Sequence, residues 1–308
     1  MGKQLILKEG EVDTRNIVSI NRQTWRDKLR AYAKKPFSFA AFLFTIAASL
    51  ISVGAVLWVL LSTFMKGIPH LKPSLFAWTW TSKNLSMMPA LINTFTVALL
   101  SLVIAGVIGV FAAIFMVEYA KSTNLVVKIV RIAAETLAGI PSIVYGIFGM
   151  IFYVELFGWG YCLLAGVLTM SMMIMPLIMR TTEEALKAVP DSFREGSFAL
   201  GAGKLRTIFR IILPAAVPGI ISGVILGLGR VVGETMALVF TAGSVINASN
   251  AAGLMDSGCT LTVYMYSLIS EGNQYAGQAW AIAVVLIILV VIINGAAELL
   301  GSKLKKEY

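Results

Sequence analysis

Arg230 and Glu234 are charged residues inside a long apolar run, Ile211 to about Phe240. At the centre of a membrane-spanning helix an arginine costs about 2.5–3.5 kcal/mol on insertion scales and more in simulation, so it must face protein or water rather than hydrocarbon. Its planar guanidinium reaches two oxygens at once and stays protonated at any working pH, which suits a tetrahedral oxyanion. Glu234, one helical turn on, is placed to pair with it and lower the cost of burial. The two end a series that runs Gly219, Gly223, Gly227, Arg230, Glu234, a spacing that sets all five on one stripe of a helix. Glycines at every fourth position let a second helix approach closely. A path for an anion is the functional reading of the stripe; a structural ion pair, or side chains snorkelling to the outer end, is the plainer one. Counting about 1.5 Å per residue from Pro214 sets Arg230 roughly 24 Å along, in the outer half of the bilayer core. Ser142 is a further candidate, because Pro141 before it removes a backbone hydrogen bond. A half-helix starting there offers free N–H groups to an anion, although a plain kink is the commoner outcome.

A second group lies in a polar stretch, from Val189-Pro-Asp-Ser-Phe-Arg-Glu195 through Gly201-Ala-Gly-Lys204 to Leu213-Pro214. Ser192 and Glu195 have the S-x-x-E spacing of a capping box, which starts a helix by satisfying its free N–H groups. Gly201 and Gly203 can take the positive φ that ends it, and Lys204 to Ile212 has helical spacing until Pro214. The expected product is a helix, a glycine turn and a second helix against one membrane face.

Other chemistry finds little support. Gly201-Ala-Gly-Lys204 lacks the residues of a phosphate-binding loop, since Phe198 stands where glycine is needed and Leu205 where Ser or Thr is needed. Any use of ATP must therefore come from a partner. His70 is the sole histidine, and Cys162 and Cys259 have no metal-ligand spacing. One bridge between the cysteines is geometrically conceivable, with buried or idle thiols the plainer reading. The net charge of +9 comes from basic residues set between long uncharged runs, not from the basic face that nucleic acid requires.

The elements that must hold these residues are membrane spans. With 58% apolar and 13% charged residues and a mean hydropathy of +0.84, the chain lacks the polar residues to cover a water-soluble globule. Runs near the roughly 20 residues that a bilayer needs occur at Phe37–Met65, Pro89–Val117, Thr136–Tyr153, Gly160–Met179, Ile211 to about Phe240 and Tyr275–Ala297. All but four of the 25 basic residues fall in residues 1–36, the second-to-third and fourth-to-fifth connections and the tail; the exceptions are Lys66, Lys72, Lys83 and Arg230. Basic residues near span ends stay on the cytoplasmic side, so both termini are expected there and residues 241–274 form an outer loop. Trp78 and Trp80 suit the headgroup level.

Glu195-Gly-Ser-x-x-x-Gly201, with Leu213-Pro214 in register, resembles the coupling loop of ABC importer permeases, with Gly196 and Ser197 where two alanines are usual. Arg180-Thr-Thr-Glu183, Lys187-Ala-Val-Pro190, Gly229-Arg-Val-Val-Gly-Glu-Thr235, Phe240-Thr-Ala242 and Gly139-Ile-Pro-Ser-Ile-Val-Tyr-Gly146 are similar to the phosphate-specific PstA family, with Met236-Ala237 where Ala-Pro is common. The resemblance implies an all-α integral membrane protein with six transmembrane helices, the type I ABC importer permease fold and cytoplasmic termini. Hydropathy and the placing of basic residues give a cytoplasmic segment 1–36, a transmembrane permease domain 37–301 and a cytoplasmic tail 302–308; the resemblance, which runs from about Met87 to the C-terminus and is weak over residues 1–36, implies the coupling loop 181–213. It gives Arg230 and Glu234 a role in phosphate passage, and Glu195, Gly201, Ala202, Leu213 and Pro214 a role in ATPase coupling. The implied partners are a PstB-like ATPase dimer, a homologous PstC-like permease and an extracytoplasmic PstS-like phosphate-binding protein, in a bacterial or archaeal cell membrane. No cofactor and no enzymatic activity are expected. A permease for molybdate, sulfate or an amino acid is the alternative, ahead of a polytopic enzyme.

Overall fold

The structure is a computed structural model that describes residues 36–120, 124–246 and 252–304. The segment through residue 35, Lys121 and residues 305–308 lie outside it, and with them most of the basic residues assigned to the N-terminal segment and the tail. Two compact units divide after Leu61. The first contributes most of α1 (Pro36–Gly67), whose long apolar side chains, Leu50 and Trp58 among them, are exposed.

From Ser62 onward the described elements are again helices, joined by non-helical connections. Five helices, α1 included, are long and apolar enough to cross a membrane, and a bent pair makes six if taken as one span. They are α2 (Met88–Tyr119), α5 (Leu163–Lys187), α7 (Lys204–Val232) and α10 (Ala276–Leu304), with the pair α3 (Leu125–Ala138) and α4 (Ser142–Leu156). Between them, among the described residues, lie three shorter α-helices, α6 (Asp191–Ala199), α8 (Met236–Val239) and α9 (Leu261–Ser270). The core centres on α5, where Met170, Met173, Ile174 and Ile178 are buried. Its longest partner is α2: Ser101 donates to the Val167 carbonyl at 3.0 Å, and Gly109 sits against the Met179 backbone. A Cβ there would lie 3.2 Å from Met179 N, so the small residue lets the two helices approach closely.

Three expectations about elements change. The run Thr136–Tyr153 is not one straight span: Gly139–Pro141 separates α3 from α4 at a bend of 102°, because Pro141 biases Ile140 away from helical geometry and lacks the N–H to continue. The fifth run begins earlier and ends earlier than expected. α7 passes through Pro214 without a stop, since a wide turn over Ile208–Ile212 precedes the proline and such turns relax the helical hydrogen-bond ladder. It then ends at Val232, with Gly233 as the closing residue. The outer connection 241–274 holds a helix of its own, α9, too short to be counted as a span.

That connection folds back into the core. Thr241, Asp256 and Leu254 offer carbonyls to the N–H groups of Cys162, Leu163 and Leu164, satisfying the start of α5. The Asn93 amide donates to the Cys259 carbonyl at 3.1 Å and accepts from Ala252 N at 3.2 Å, and Thr94 Oγ1 accepts from Leu261 N at 2.8 Å. Cys162 and Cys259 are free and buried. Trp78 is exposed, whereas Trp80 turns inward and donates to Tyr264 Oη at 3.2 Å.

Candidate functional site

The glycine stripe of α7 faces α5. A Cβ on Gly219 would lie 2.5 Å from Ala185 Cβ, one on Gly223 would meet Thr181, and one on Gly227 would sit 3.6 Å from Ile178. The two helices therefore run antiparallel in register, and Gly227 stands opposite the middle of α5. Arg230, three residues on, lies about 4.5 Å nearer the outer end, near the middle of the bundle and in the last turn of α7. At about 100° per residue it is turned some 60° from Gly227 but only about 20° from Gly219 and Gly223, so it stays on the glycine stripe, half-buried, with the exposed Leu226 about 40° away.

Glu234 is not on that stripe. α7 has ended, and Glu234 Oε1 instead accepts from Ala237 N at 3.2 Å, closing the first turn of α8. Its carbonyl accepts from Thr262 Oγ1 at 2.6 Å. Among the described residues no ion pair joins it to Arg230, because the i,i+4 relation holds only while the helix continues.

α4 reaches the same region. Ser142 opens it, half-buried, with Pro141 at the capping position and no side chain on the free N–H groups. Tyr145, in the first turn, is buried; its hydroxyl donates to the Leu137 carbonyl at 2.8 Å across the bend and lies within electrostatic reach of Arg230. Gly146 lets α4 press on α8, where a Cβ would come 2.8 Å from Ala237 Cα. The end of α7, the start of α4 and α8 thus converge, with Arg230 as the cation. Among the described residues no hydrogen bond joins Ser142 to Arg230.

At the other end lies α6. The expected capping box is absent: the helix starts at Asp191, Pro190 precedes it, and Ser192 and Glu195 are exposed without a capping bond. Asp191 in the first turn complements the helix dipole in their place. Gly201 takes φ +79°, the conformation that terminates a helix, while Gly203 is extended at φ −73° and serves as the start of α7. The Ser197 and Thr207 hydroxyls meet at 2.8 Å, both buried, across that turn. Leu200, 90% exposed, and Leu205 stand out beside Glu195 and Gly196. Ala202, Leu213 and Pro214 are half-buried.

Two ion clusters behind α6 went unread in the sequence. Arg194 reaches Glu118 at 2.8 Å and Asp191 at 3.0 Å, and Glu183 binds Arg131 and Lys187, the latter at 2.6 Å. Glu118 was the available signal, an acidic residue at the end of an apolar run among basic neighbours.

This architecture is that of an ABC importer permease, and residues 105–306 match the family model described as a binding-protein-dependent transport system inner membrane component, so the chain belongs to that family. A solved bacterial ABC transporter involved in the import of the acidic polysaccharide alginate shares the fold, with a TM-score of 0.62 at 17% identity over 91% of this chain and 99% of that one. The chain is similar to the phosphate transport system permease protein PstA of Mycobacterium leprae, 32% identical over 300 residues, 90% of this chain and 96% of that protein. PstA of Yersinia pestis is 30% identical over 301 residues, 96% and 99% of the two chains. The chain is accordingly a multi-pass membrane transport subunit rather than an enzyme, and its family works with an ATPase and a binding protein.

Proposed function

We propose that this chain forms half of the phosphate pathway of an ATP-driven importer in a bacterial or archaeal cell membrane, paired with a PstC-like permease, driven by a PstB-like ATPase dimer and loaded by a PstS-like binding protein. The observation that carries the reading is Arg230, a fixed cation at a helix end near mid-depth, with the free N–H groups of α4 in the same region. Such an arrangement attracts an oxyanion without holding it in a closed cage. The family likeness gives the oxyanion as phosphate. Motion reaches the pathway from α6, whose exposed Glu195, Leu200 and Leu205 form a small surface for the ATPase, closed by the turn at Gly201.

The test uses vesicles carrying the complete complex. Labelled phosphate should enter on ATP addition while sulfate and molybdate should not, and Arg230→Gln should abolish entry with the complex intact. Normal phosphate entry in Arg230→Gln would remove Arg230 from the pathway; preferred entry of another anion would reassign the cargo.

A further inference from the structure

We propose that the buried Arg194–Glu118 pair is the link that carries movement of α6 into the transmembrane bundle, with Arg194 as the positioning residue of that helix. The proposal rests on the coupling reading of α6 and extends it to how the motion leaves α6. Arg194 precedes Glu195 but points the other way: Glu195 is exposed, while the Arg194 and Glu118 side chains keep 17% and 8% of their accessible surface. The guanidinium serves three helices at once. Its Nε and Nη2 donate to Glu118 Oε1 at 3.1 and 2.8 Å. Nη2 also donates to the Leu186 carbonyl at 3.0 Å, and Nη1 donates to the Val189 carbonyl at 2.9 Å and to Asp191 at 3.0 Å. The end of α2, the end of α5 and the first turn of α6 are thereby tied to one rigid fork.

Little else holds α6. Ser197 is its one buried residue, bonded to Thr207, and Phe193 and Phe198 keep 36% and 48% of their accessible surface. The position of α6 is therefore set by charge-assisted hydrogen bonds more than by apolar burial. What the fork grips leads to the pathway. Glu118 lies at the end of α2, which packs along α5, and α5 in turn packs in register on the glycines of α7 that lead to Arg230. Lys204, at the start of α7, adds a second tie to the same end of α2, its ammonium 4.7 Å from the Tyr119 ring centre. Removing one partner of a buried pair leaves the other charge unmatched.

The experiment takes the full complex in vesicles and compares Arg194→Gln, Glu118→Gln and the double variant. It measures ATPase co-purification, ATP hydrolysis with and without loaded binding protein, and uptake. Each single variant should keep the ATPase and a basal hydrolysis rate but lose stimulation by the binding protein, with uptake down by on the order of tenfold. The double variant should be no worse than either single one, because the two residues act as a unit. Wild-type uptake in either single variant overturns the proposal, as does multiplication of the two losses in the double. So does release of the ATPase from Arg194→Gln, which would make Arg194 a docking residue. Should the glutamine variants not accumulate, Arg194→Lys keeps the charge and loses the fork. Partial uptake with reduced stimulation then supports the link, and wild-type behaviour overturns it. Gly201→Trp separates the two readings: a Gly201→Trp complex that assembles and turns over normally removes the coupling role of α6 itself, whereas a defect there beside a normal Arg194→Gln removes only the link.

Discussion

Glu234 shows how a single residue changes role when its helix stops. Placed two residues beyond the end of α7, its carboxylate closes α8 through Ala237 N rather than meeting Arg230. Glutamine keeps an oxygen in that position and alanine does not, so Glu234→Ala should cost about 1 kcal/mol, as for other lost caps, and Glu234→Gln a few tenths at most. Thermal unfolding of the detergent-solubilised protein measures the difference. If Glu234→Gln were the more damaging, the negative charge itself would matter and an ion pair with Arg230 would return as its explanation. Arg230 was legible in the sequence because a lone cation in an apolar run stands out without any structure. The Arg194–Glu118 pair was not, since its members lie 76 residues apart and each reads locally as an ordinary charge near a membrane face.

The elements differ in how much of them a residue pattern can reveal. The glycine series of α7 carries its partner within it, because small residues at every fourth position define a face, and that face meets α5. The three glycines are not equivalent. A Cβ at Gly219 meets Ala185 Cβ at 2.5 Å, an atom fixed to the opposing backbone, so the helices must part. One at Gly223 meets the Thr181 hydroxyl, which already donates to the Leu177 and Ile178 carbonyls, and comes 2.8 Å from Thr181 Cβ, which turning the side chain does not move, so the helices must part there too. One at Gly227 finds ordinary contact at 3.6 Å. Gly219→Ala should therefore destabilise by about 1–3 kcal/mol, the usual cost of overpacking. Gly223→Ala should cost about as much as Gly219→Ala, and Gly227→Ala should be neutral or slightly stabilising through better helix propensity. Melting temperatures of the three variants in one detergent rank them, and an order with Gly227→Ala the worst would mean that the stripe does not face α5. α9 and the bend at Gly139–Pro141 escaped the pattern for a shared reason. A span is recognised by about 20 apolar residues, so a 10-residue helix inside an outer loop is invisible to that measure, and a proline in an apolar run does not by itself say whether the chain kinks or turns through 102°.

At the scale of the whole molecule the remaining variable is orientation, on which the direction of transport depends. Two ends are defined by the fold: one carries the loop that caps α5 at Cys162–Leu164, the other carries α6 with its ion clusters. Retention of basic residues on the cytoplasmic side puts α6 inside, where an ATPase can reach it, and the capping loop outside, where a binding protein can. Membrane-impermeant maleimide can check this on the native background. Cys162 and Cys259 are both buried, and burial pushes the Cys259 thiol up to about 12, so at pH 7–8 it stays protonated and short of the reactive thiolate. Neither should label in the folded protein, and an introduced cysteine then reports alone. Lys83 lies exposed before α2 and Lys128 exposed on α3, at opposite ends by this assignment. Lys83→Cys should label in intact cells or right-side-out vesicles, and Lys128→Cys only in inverted vesicles or after permeabilisation. The reverse pattern would turn the molecule over, placing α6 outside the cell and ending its assignment as the ATPase contact, whereas labelling of the native thiols would show that the loop over α5 opens in the membrane.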